Sequence, residues 1–114
     1  MSKRSNHELL VDILESIDKI RRYTKGMSFE VFSQDEKTID AVVRNFEIIG
    51  EAANRVEENI KEEYAVVEWR RIIGLRNRIV HEYFGIDLKI IWMIIDENLD
   101  AFKSEIEGII DEIE

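Results

Sequence analysis

No proline occurs in the 114 residues of this chain, and apolar side chains recur along it at spacings of three and four. Proline stops helices more sharply than any other residue, and a three–four spacing lines apolar groups along one helical face. Together these features restrict the chain to long helices packed on one another. Only five glycines are present, and Ile, Leu, Val, Glu, Lys and Arg dominate, which excludes a turn-rich β-sandwich or a collagen-like chain. The length suffices for one compact domain, residues 1–114, and not for two.

The spacing predicts four helices. Ser5 and Glu8 form a capping box ahead of Leu9, Leu10, Ile13, Ile17 and Ile20, and Gly26 closes this first helix. Met27 to Phe32 has no long period and reads as a loop that tucks Phe29 or Phe32 under the bundle. Ser33 and Glu36 repeat the capping signature and open a second helix running to about Ile60, with a core stripe of Ile39, Val42, Val43, Phe46, Ile49, Ala53 and Val56. Gly50 sits in that stripe at a propensity cost of about 1 kcal/mol, which implies close approach of another helix. A second uncharged stripe, Ala41, Asn45, Ile48 and Ala52, gives the same helix a second partner, for which another protomer is a candidate.

A third helix is predicted over about Val67 to Tyr83. The fourth starts at the N-cap Asp87, with Ile86 and Ile91 as a hydrophobic staple and a stripe from Leu88 through Ile91, Trp92, Ile95, Leu99, Phe102, Ile106 and Ile109 to Ile113. Ile90, Met93 and Ile94 lie off that stripe, so its first half is apolar all round and suited to self-association. The expected fold is all-α, an antiparallel up-and-down four-helix bundle that forms a homodimer.

The net charge of −9 argues against a non-specific nucleic-acid binder. Its distribution changes that reading, because residues 96–114 carry −7 of it and residues 1–95 only −2. Arg70, Arg71, Arg76 and Arg78 concentrate in one short stretch. With no cysteine there is neither a disulfide framework nor a thiolate metal site. The polar start MSKRSNHELL lacks a signal-peptide core, and the longest apolar run, Ile90 to Ile95, is too short to span a membrane. A cytoplasmic protein is expected.

The segment 69–85, WRRIIGLRNRIVHEYFG, is where chemistry is expected. On a helical wheel Trp69, Ile72, Ile73, Ile79, Val80 and Tyr83 share a broad apolar face, with Arg76 projecting from its middle. Beside it run Arg70, Gly74, Asn77 and His81, a polar stripe whose glycine leaves room close to the backbone. Each residue also has a plain structural role: His81 as a solvated helix end, Arg76 paired with Glu47 or Glu51, and Tyr83 as a core-edge aromatic.

Arg76-Asn77-x3-His81-x-Tyr83 resembles the R-x4-H-x-Y signature of the HEPN superfamily and specifically its HepT branch. The block Phe46-Glu47-Ile48-Ile49-Gly50-Glu51-Ala52-Ala53 is similar to that branch's I-I-G-E-A segment, and Trp69 to Asn77, His81 to Asp87 and Trp92 extend the likeness over about half the chain. Val67-Glu68 stands where the family usually has a proline before the tryptophan.

The resemblance implies the toxin of a toxin–antitoxin pair, a metal-independent endoribonuclease without cofactors that dimerises around one cleft. It assigns Arg76 and His81 as the catalytic pair, Asn77 as a polar helper, and Tyr83 as the hydroxyl to which a minimal nucleotidyltransferase antitoxin adds AMP. The partners implied are a second copy of the chain, that antitoxin and RNA, with no membrane. The alternative is a non-catalytic dimeric partner or binding module for such a nucleotidyltransferase; a third reading is a bundle whose polar stripe is only an interface network.

Overall fold

Ser5 begins the first helix through the expected reciprocal bonds. In the computed structural model, which describes residues 3–81 and 86–114, the Glu8 backbone N–H donates to Ser5 Oγ (3.1 Å) and the Ser5 backbone N–H donates to the Glu8 carboxylate (3.0 Å). Helix α1 then runs Asn6–Thr24, and Gly26, at φ +77°, turns the chain away. The bond from the Ser5 N–H holds the Glu8 carboxyl below its ordinary value of 4.5. A lowered carboxyl contributes stability above its unfolded pKa and loses it as pH falls through the folded one. The wild type is therefore expected to lose stability as the pH drops below 4.5, and Ser5→Ala, which keeps the backbone N–H but loses the cap oxygen, to cost about 1 kcal/mol in urea unfolding at neutral pH.

The predicted loop is instead a short helix, α2 (Phe29–Gln34), started by Ser28, whose Oγ accepts from the Val31 N–H at 3.2 Å. It buries Phe32 completely. Ser33 is not the next cap: its hydroxyl donates back to the Glu30 carbonyl, and Asp35 opens α3 (Glu36–Arg55) by accepting from the Thr38 N–H. Helix α3 stops earlier than expected, where Val56 turns extended, and α4 (Glu58–Glu63) follows as a separate turn. Tyr64 ties this corner to the chain's end by donating to Glu112 at 2.5 Å, and the carboxylate pushes the phenol up to about 12.

The third predicted helix is α5 (Trp69–His81), anchored by buried Trp69, whose indole N–H donates to the Tyr64 carbonyl. Asp87 caps α6 (Leu88–Met93) as expected, but the fourth rod is not uniform. A π-helical turn, Ile94–Asn98, separates α6 from α7 (Leu99–Ile113).

Helix α1 packs on α3 and α7, and α3 on α5. The α1 ends fix two antiparallel neighbours: Asn6 accepts from the Glu57 N–H beyond the end of α3, Lys103 meets Asp18, and His7 meets Glu114. Leu10, Ile13, Ile17 and Ile20 of α1, Val42 of α3, Ile79 of α5 and Ile91, Leu99 and Ile106 of the last rod are fully buried. Each contributes about 1.5–3 kcal/mol relative to exposure. Among the described residues no helix is long and apolar enough to cross a membrane.

Candidate functional site

Helix α5 carries both apolar and cationic residues, and its contact with α3 decides how they are divided. Gly50 lies directly against α5: a Cβ placed there would sit 2.1 Å from Arg76 Cβ, 2.8 Å from Arg76 Cγ and 3.2 Å from the Ile72 carbonyl oxygen. The close approach expected from a mid-helix glycine is thus made to Arg76 itself. The first two carbons of that arginine fill the space a side chain at position 50 would need.

From there the guanidinium reaches an open groove of about 310 Å³ along α3, lined also by Arg44, Glu47, Glu51, Ala52 and Arg55. Arg76 Nη2 meets Glu51 Oε2 at 2.8 Å, and Nη1 donates to Asn77 Oδ1 at 3.1 Å. Of the two acids that pairing admitted, the geometry selects Glu51, while Glu47 takes Arg44 at 3.3 Å. The Arg76 Nε is buried without a hydrogen-bond partner, so the guanidinium is held at two corners and unsatisfied at the third. With Nε enclosed, an anion in the groove can be met only through the terminal nitrogens, in exchange with Glu51 and Asn77.

Asn77 and His81 are exposed, as is Arg70. A Cβ at Gly74 would meet nothing within 4 Å, so the polar stripe of α5 borders open space. Arg76 and His81 are five residues apart, about 140° around the helix. One chain therefore turns Arg76 toward α3 and His81 toward solvent, with Asn77 linking the two faces. Tyr83 lies outside the described residues. Val80, assigned to the apolar face, is 44% exposed, and Met93 on α6 is 48% exposed.

The sequence reading missed Arg44 and Arg55 as parts of this groove. Their signal was present: Arg44, Glu51 and Arg55 are spaced seven and four apart, one face of α3. Among the described residues no group of three or more His, Cys, Asp or Glu side chains is placed to hold a metal ion.

Fold and site together define an all-helical protein with a groove lined by α1, α3 and Arg76 of α5, in which Arg44, Arg55 and Arg76 stand among Asp12, Glu47 and Glu51. The chain belongs to the ribonuclease HepT-like family, which it matches over residues 13–109. A Methanocaldococcus jannaschii protein named as a candidate RNase is 38% identical over 94% of this chain and 98% of its own length. A second such protein of that organism is 40% identical over all of this chain and 94% of its own. A Thermococcus cleftensis protein named as a probable ribonuclease HepT is 36% identical over 92% and 96% respectively. No solved structure matches the chain.

Proposed function

We propose that this protein is the toxin of a toxin–antitoxin pair, an endoribonuclease that needs no metal ion and works at a cleft between two copies of an antiparallel four-helix bundle. Family membership supports ribonuclease activity. The observation that carries the site is the seating of Arg76, packed at its root against Gly50 and aimed into an open groove.

Without a metal, the RNA 2′-OH attacks the adjacent phosphorus while a base takes its proton, and an acid protonates the departing 5′-oxygen. Imidazole titrates near neutrality and suits both tasks. Each chain offers one histidine on α5, His81, and a two-fold dimer supplies two. Arg76 offers a planar fork to the phosphoryl oxygens as charge builds on them, and Asn77 orients it. Exposed Val80 and Met93 support an apolar contact between copies. In EDTA the purified protein is expected to cut an RNA oligonucleotide, leaving a 2′,3′-cyclic phosphate, and to spare the same strand with 2′-deoxyribose at the cut site. Equal cutting of the deoxy strand contradicts the mechanism.

Control is assigned to Tyr83, two residues beyond His81. An AMP joined there places a phosphodiester among the cations meant for RNA. Incubation with ATP and the cognate nucleotidyltransferase is expected to add one AMP mass to the chain and none to Tyr83→Phe. An unmodified wild-type chain removes this regulatory step.

One observation favours the alternative of a non-catalytic partner. Arg76 already has a carboxylate from its own chain, Glu51, as a structural arginine would.

A further inference from the structure

An open cavity of about 590 Å³ lies away from the Arg76 groove, where the end of α1 and the turn after it face the π-helical turn. Its wall joins Arg21, Arg22 and Lys25 to Trp92 and Asp96. These residues are distant in sequence and meet only through folding. The volume falls within the range of small-ligand sites.

Basic residues in a last helical turn ordinarily just complement the helix dipole, which amounts to about half a charge. Here there are three cations, and two further features exceed that role. Arg21 gives Nη2 to Asp100 at 2.6 Å, yet its Nε is buried and has no partner. Trp92 is partly exposed on the cavity while fully buried Phe32 packs against it, ring centroids 5.2 Å apart. Phe32 thereby supports the indole, part of which remains open to the cavity. The π-helical turn beside it supplies Ile95 and Asp96, and such turns are frequent at functional positions.

An aromatic surface flanked by cations is the chemistry that holds a nucleotide: the base stacks and the phosphate takes the charges. We infer that this cavity binds one nucleotide unit of a single-stranded RNA, with the base on Trp92, the phosphate on Arg22 and Lys25, and Asp96 accepting from a base amino group. It is a holding site for substrate outside the cutting site. The inference rests on the ribonuclease reading for its choice of RNA.

The test measures binding of a 2′-O-methyl RNA decamer, which cannot be cut through its 2′-oxygen, and of 5′-AMP to the full-length protein. The double variant Arg22→Gln, Lys25→Gln leaves the core untouched and is expected to bind the decamer about tenfold more weakly, with a salt dependence reduced by about 0.7. Its KM for cleavable RNA should rise with kcat unchanged. Trp92 fluorescence should be quenched on binding in the wild type, with Trp92→Phe as the control that silences it. Loss of 5′-AMP binding alone, with decamer binding intact, overturns RNA as the occupant in favour of a free nucleotide. Unchanged binding of both overturns the site. His81→Ala keeps the two ideas apart: it should bind the decamer normally, and if it also cuts normally the active-site assignment fails while the binding result stands.

Discussion

Gly50→Val is expected to destabilise the protein by about 1–3 kcal/mol or more and to remove activity with it. Ordinary propensity points the other way for the smaller change, since Gly→Ala in a helix interior gains about 1 kcal/mol. The geometry reverses that sign. The new Cβ would stand 2.1 Å from Arg76 Cβ, an atom fixed by its own backbone, and 3.2 Å from a carbonyl oxygen. No rotamer change clears either contact, so α3 and α5 must separate and Arg76 must leave the groove. Gly74→Ala is the control, because its Cβ meets nothing within 4 Å; it is expected to be neutral or stabilising. Chemical unfolding of the three proteins measures the difference, and equal stability of Gly50→Ala and Gly74→Ala contradicts the packing described.

Arg76→Ala is expected to lower kcat at least about hundredfold, the scale on which a transition-state charge donor acts. Its effect on stability should be small. The pair with Glu51 is part-exposed, 29% and 47% for the two side chains, and solvent screening leaves such pairs about 0–1 kcal/mol. A purely structural arginine gives the opposite pattern, a stability loss with activity per folded molecule unchanged. Arg76→Lys keeps the charge and loses the fork, so it should fold like the wild type and recover activity only in part. Steady-state kinetics alongside urea unfolding reads both quantities.

Much of this arrangement was legible before any coordinates. The Ser5–Glu8 box, the buried stripes of α1 and α3 and the Asp87 cap are local signals, and each was realised. Gly50 was legible because a glycine in a core stripe demands a reason, although the sequence did not name Arg76 as its contact. The departures have physical causes. Six residues are too few for α2 to show a period. Ser33 and Asp35 are competing caps two residues apart, and the carboxylate captured the free N–H. Helix α3 ends at Val56 without glycine or proline to announce it, so the pattern carried on to Ile60. The π-helical turn leaves the apolar spacing intact and hence unmarked. The choice of Glu51 over Glu47 and the meeting of Arg21 with Trp92 depend on how helices dock, which no local spacing encodes.

We propose that α5 carries a nuclease site that needs no metal ion and uses His81. Its most direct test is cleavage of an RNA oligonucleotide in EDTA by wild-type protein and by His81→Ala, with circular dichroism confirming equal folding. His81 is exposed at the end of α5, so its removal should leave the core intact. The wild type is expected to cut and the variant to lose about a hundredfold or more; equal cutting by the two would rule out His81 as the catalytic group.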